Sequence, residues 1–233
     1  MNPLVGLPAG GILLFVSSRA RLVLIVIASL ALPTAVFAAF AAHSSDSNGP
    51  AAVVEEIGSS GAKAPGSPFK GAMRPRVPPT DFALRDQNGD LVQLSALRGK
   101  VVVLSPMYST CRDTCPLTAQ QIRGALDDLS GDQRKEVRAF ALSVDPANDT
   151  PDSARRFLVE RRVSGYLDFL VGARSDLEPV WRDFGFAPQT SEQEHNSYVV
   201  VIDKRGRQRV GFPIDYLTPD DLAHDIRLLE EGS

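Results

Sequence analysis

The sequence predicts a mixed α/β domain built as a three-layer sandwich, carried behind an N-terminal apolar segment and a flexible linker. Three observations point there. Short, continuous apolar runs recur at residues 101–104, 137–144 and 198–203, as in strands buried on both faces of a sheet. Stretches between them repeat their apolar residues at helical spacing and open on Thr-Pro or Pro signals. Two turn signals, Asn88-Gly89 and Lys204-Arg205-Gly206, stand between runs that read as hairpins.

Taken in order, DFALRD and DLVQL flank Asn88-Gly89 as an opening hairpin, and residues 101–104 form the first buried strand. Pro116 sits where the first turn of a helix tolerates it; Ile122, Leu126 and Leu129 then share one face before Gly131 ends that helix. Residues 137–144 are the next buried strand. Thr150-Pro151 opens a second helix running to Arg162, residues 167–171 read as a short strand, and Ser175-Asp176 caps a third helix through Trp181. A hairpin follows at residues 198–203 and 207–212. Thr218-Pro219 then starts a last amphipathic helix with Leu222, Ile226 and Leu229 inward. Spacing alone supports α/β; the order of elements describes a sandwich of thioredoxin type.

The 233 residues, 43% apolar and 23% charged, suit one medium-sized globular domain with an extra segment. The net charge of −3 comes without any Lys/Arg cluster that would track a phosphate backbone, so nucleic acid is excluded as a partner. The first 42 residues hold no acid, and their only charges, Arg19 and Arg21, precede an uncharged apolar run at residues 22–42. Such a run spans a hydrocarbon core of about 30 Å as a helix. The expectation is a cytoplasmic N-terminal segment (1–21) and a single-pass membrane anchor (22–42), with the folded domain on the extracytoplasmic side. A cleaved signal peptide ending in AAFAAH is the alternative; either way the domain is exported. The next stretch is rich in Ser, Gly, Pro and Ala and reads as a tether over residues 43–70, ahead of the folded domain at 71–233.

The chain has two cysteines, Cys111 and Cys115, both in SPMYSTCRDTCP. Export permits a disulfide. Cys111 lies in the loop after a buried strand and Cys115 at the start of a helix, where backbone N–H groups and the helix dipole favour a thiolate. The spacing suits either a disulfide or a joint grip on one soft metal ion. It differs from an ordinary dithiol reductase, which has two intervening residues. A peroxiredoxin is disfavoured too, because Tyr108 stands where a Thr or Ser is needed. A purely structural staple closes too short a loop to stabilise much.

Two sulfurs seldom complete a metal site, so the three histidines are candidates for a third donor. His43 falls in the tether and His224 in the last helix, whereas His195, in SEQEHNS just before the strand YVVVID, can approach the cysteines from a neighbouring strand end. Asp145 reads either as an acceptor behind a metal ligand or, the favoured reading, as the turn residue with Pro146 after a strand, with Asp149 or Thr150 capping the next helix. Met107 reads as packing, and Trp181, Phe184 and Phe186 as core.

The segments YSTCRDTCPLTAQQ (108–121), LSVDPANDTP (142–151), EHNSYVVVIDKRG (194–206) and DFALRDQNGDLVQLSALRGKVVVL (81–104) together resemble the Sco/SenC family across nearly all of residues 71–233. The resemblance implies a thioredoxin-like fold and a membrane-tethered, exported domain. It also implies one copper ion per domain, bound by two cysteines and one histidine, in the service of the binuclear copper centre of cytochrome c oxidase. By position the ligands are Cys111, Cys115 and His195, and the partner is the copper-binding subunit of that oxidase. His195-Asn196-Ser197 stands where thioredoxin-like reductases usually carry a cis-proline. Thr110 and Arg112 depart from the family pattern beside the first cysteine, and Arg112 adds a positive charge there. Two other functions share these features: an exported thiol-disulfide oxidoreductase that reduces the oxidase's copper-site cysteines, and a redox or copper sensor signalling through its anchor.

Overall fold

The computed structural model describes residues 66–74, 81–189 and 198–232. The N-terminal segment, the apolar run at 22–42, most of the tether and His195 lie outside the described residues. Among those described, no helix is long and apolar enough to cross a membrane.

The strands are β1 (Ala72–Met73), β2 (Ala83–Arg85), β3 (Leu91–Gln93), β4 (Val101–Met107), β5 (Val137–Ser143), β6 (Asp168–Leu170), β7 (Tyr198–Ile202) and β8 (Gln208–Pro213). The helices are α1 (Thr114–Asp127), α2 (Gly131–Lys135), α3 (Pro151–Glu160), α4 (Arg174–Phe184) and α5 (Pro219–Glu231). Six strands form one sheet in the order β1-β8-β7-β4-β5-β6, and β2-β3 forms the separate opening hairpin. β4 and β5 run parallel, from Val101 opposite Val137 to Met107 opposite Ser143, and β6 continues the parallel set. β7 lies antiparallel on the other side of β4, with β8 and then β1 beyond it.

Every residue of β4 is buried, which is why its sequence shows no polar alternation. Successive side chains serve opposite faces. Val101, Val103 and Met107 pack in the same cluster as Ile122 and Leu126 of α1, Phe157 of α3, and Leu222 and Ile226 of α5. Val102 and Leu104 belong to the cluster holding Leu177, Trp181 and Phe184 of α4 with Phe82 and Leu84 of the hairpin. Helices on both faces of one sheet make the three layers expected. The ladder between β4 and β7 ends at Leu104 opposite Val200, two residues before Pro106, which has no N–H to contribute.

Three local expectations need correction. The first helix ends at Asp127, and Gly131 is the opening residue of α2 rather than a stop. Ser130 Oγ accepts the Gln133 N–H, and the Ser130 N–H donates to Gln133 Oε1, so SGDQ is a capping box. The third helix starts at Arg174 with Ala173 as an N-cap that offers no side-chain bond, and it continues past Trp181 to Phe184. Burial of Trp181 and Phe184 against the sheet carries it on, and Gly185, at φ 70°, ends it in the left-handed region that glycine allows. Finally, folded structure begins before residue 71. Phe69 is buried in the core, and the Asp225 carboxylate of α5 accepts the N–H groups of Lys70 (2.8 Å) and Gly71 (2.9 Å). The end of the expected tether is thus a strap that leads into β1.

Candidate functional site

The chain leaves the sheet after Met107, and the next six residues form the loop that carries Cys111. Two bonds shape it: Asp149 Oδ1 accepts the Ser109 N–H at 2.7 Å, and the Cys111 N–H donates to the Tyr108 carbonyl at 3.1 Å. α1 then begins at Thr114, so Cys115 is its second residue. Asp113, at the N-cap, makes no side-chain capping bond. The Cys111 sulfur does that work instead, accepting the Cys115 N–H at 3.3 Å. Thr114 Oγ1 lies 3.8 Å from the same sulfur.

Both cysteines are free thiols, 3% and 2% exposed. Their acidities are split. The hydrogen bond from Cys115, with backbone N–H groups of Cys115 and Asp113 and the Thr114 hydroxyl, pulls Cys111 down to about 5 against the opposing effect of burial. Cys115 is pushed up, first by its bond to Cys111 and then by its own burial. Burial and the neighbouring Cys111 also push up the Tyr108 hydroxyl. The arrangement is one sulfur poised as a thiolate above a protonated partner, at the positive end of a helix.

Arg112, Asp113 and Thr114 are exposed over this pair. Met107 is fully buried, and Trp181, Phe184 and Phe186 are core, as expected. Asp145 is the turn residue foreseen, accepting bonds from Asn148 through both its side chain and its carbonyl. Thr150 caps α3, with its Oγ1 accepting the Ser153 N–H. His224 sits on α5, its Nδ1 3.0 Å from Asp225 Oδ1 at the strap. Among the described residues, no group of three or more His, Cys, Asp or Glu side chains is placed to hold a metal ion. The third donor expected, His195, lies outside them.

The sequence offered Asp149 only as a possible cap of the next helix, and its role at the cysteine loop was not foreseen. Asp149 is 5% exposed and caps no helix; both its oxygens bond to the framework under the cysteine loop. The available signal was redundancy: Thr150 already suffices as the cap before Pro151, which leaves the adjacent Asp without a local task.

A dithiol at the first helical turn after a buried parallel strand, in this sheet order, defines a thioredoxin-like dithiol protein with a three-residue spacing. The SCO1/SenC family matches residues 74–230, and the chain belongs to that family. The chain is similar to the SCO1 protein homolog of Bacillus subtilis, 29% identical over 154 residues that cover 63% of this chain and 79% of that protein. It is also similar to the copper-bound structure of ScoI from Bradyrhizobium japonicum, at 26% identity and a TM-score of 0.56, over 66% of this chain and 99% of the other. The solution structure of apo Sco1 from Thermus thermophilus matches at 26% identity and a TM-score of 0.57, over 69% and 96% of the two chains.

Proposed function

We propose that this protein binds one copper ion through Cys111, Cys115 and His195 and delivers it to the copper-binding subunit of cytochrome c oxidase, for the binuclear copper centre. It works from the extracytoplasmic face of the cell membrane, held there by residues 22–42. The observation that carries the reading is the Cys115 N–H on the Cys111 sulfur, which keeps two reduced sulfurs together at a helix terminus. Thiolates are soft donors that select Cu(I), and imidazole suits copper as well.

Chain length supports His195 as the third donor. The Gln189 N–H donates to the Val144 carbonyl at 2.8 Å, just beyond β5, and Tyr198 opens β7 alongside β4. Continuing the register from Leu104 opposite Val200 brings Tyr198 level with Pro106. Three residues of chain limit the His195 Cα to within about 11 Å of Tyr198. Copper bound to the Bradyrhizobium relative, and membership of the family itself, support the choice of metal.

The test is copper stoichiometry with X-ray absorption on the purified, reduced full chain. One ion with two sulfurs and one nitrogen is expected, and His195→Ala is expected to weaken binding by about a hundredfold. Zinc alone, or no metal, would overturn the reading. The split acidities of the two thiols favour a second reading, a thiol-disulfide oxidoreductase with Cys111 as attacking sulfur. Under that reading His195→Ala leaves dithiol exchange with an external disulfide unchanged.

A further inference from the structure

We infer that Asp149 is the positioning residue of the dithiol site, its buried carboxylate fixing the Cys111 loop against the end of β5. The inference rests on the copper-binding reading above.

A buried carboxylate is costly unless its oxygens are well bonded. Asp149 Oδ1 accepts the Ser109 N–H at 2.7 Å, two residues before Cys111, and Oδ2 accepts the Ser143 hydroxyl at 2.6 Å, at the end of β5. Ser143 is itself held, because its carbonyl accepts the Trp181 indole N–H at 2.9 Å. The next residue, Val144, donates its N–H to the Met107 carbonyl at 3.1 Å and offers its own carbonyl to the Gln189 N–H at 2.8 Å. One side chain therefore ties the loop of the two sulfurs to the end of β5, beside which Gln189 is held. Ser109 Oγ adds a 3.0 Å bond to Ser153 Oγ on α3.

The consequence is mechanical. Without the carboxylate, the Ser109 N–H loses its acceptor, and the turn that aims the Cys111 sulfur at the Cys115 N–H is held at one end only. Asn at 149 preserves the device, since its carbonyl oxygen still accepts from Ser109 and its amide reaches the Ser143 oxygen. Ala removes it.

The experiment uses the purified, reduced full chain and its Asp149→Ala, Asp149→Asn and Ser143→Ala variants. Cu(I) affinity is read by competition with a chromophoric chelator, and donor geometry by X-ray absorption. Asp149→Ala is expected to weaken Cu(I) binding by about tenfold or more and to disturb the donor shell, with Asn restoring both. A folded Asp149→Ala variant with unchanged affinity and spectrum overturns the inference. Should that variant fail to fold, Ser143→Ala, which removes only the bond to Oδ2, decides by the same readout, and an unchanged affinity overturns it. Should the parent chain bind no copper, the functional reading fails by itself. Asp149 is then judged on metal-free protein: amide exchange over residues 109–111 is expected to be faster by about tenfold in Asp149→Ala, and equal rates overturn the role.

Discussion

The Cys115 amide points at the Cys111 sulfur across 3.3 Å, so α1 starts on a sulfur where α2, α3 and α5 start on a side-chain oxygen. The arrangement serves stability and chemistry together. The helix gains a cap, and the sulfur gains a donor that favours its ionised form.

Thiol reactivity should show this directly. With Cys111 held at about 5, its thiolate fraction is already near its maximum at pH 6 and changes little up to pH 9. Alkylation of the reduced, metal-free chain, followed by mass spectrometry, should therefore label Cys111 at a rate nearly flat over that range. Cys115, whose thiol is pushed up, should stay unlabelled over that range. A Cys111 rate that climbs steadily through pH 8 to 9, as for an ordinary thiol, would contradict the assignment.

Asp149 should leave a mark on the pH dependence of stability. Burial raises its carboxyl above the ordinary 3.8 against the lowering effect of its Ser109 and Ser143 bonds, so the folded chain holds that proton more tightly than the unfolded chain does. That contribution is complete below about pH 3.8 and is lost as pH rises through the folded value. Asn does not titrate. Urea unfolding of the parent and Asp149→Asn from pH 3.5 to 7 should show the variant gaining on the parent as pH rises; a constant difference would refute the shift.

The strap depends on Asp225, which is fully buried and receives the N–H groups of Lys70 and Gly71. Asp225→Ala strands two backbone donors and should cost about 3 kcal/mol in denaturant unfolding. Limited trypsin digestion should also cut faster after Lys70. Unchanged cleavage would mean that the strap is held by Phe69 alone.

Gly71 is needed for a steric reason. A Cβ there would lie 2.3 Å from Val210 Cγ1 and 2.9 Å from the Phe212 ring. Gly71→Ala should destabilise by about 1 to 3 kcal/mol through overpacking, read as a lowered urea midpoint with an unchanged slope.

Much of the domain was legible from local pattern. The runs around Val101, Val137 and Tyr198 are strands, and Thr150 and Thr218 cap helices with Pro at the next position, because apolar periodicity and capping chemistry act within a few residues. Two features were misplaced. Packing of Phe184 draws α4 beyond Trp181, and the Ser130–Gln133 capping box, a local signal outweighed by Gly131, opens a new helix where a stop was expected.

By itself, then, the amino-acid order determined the α/β character, the strand and helix succession, and the placing of two cysteines at a helix start, since each is settled by neighbours along the chain. Folding in three dimensions decided the sheet order, the docking of the strap and the support beneath the cysteine loop. Ser109 meets Asp149 across 40 positions and Lys70 meets Asp225 across 155. Bonds between residues so far apart in sequence exist only once the core has brought them together, and no local period encodes them.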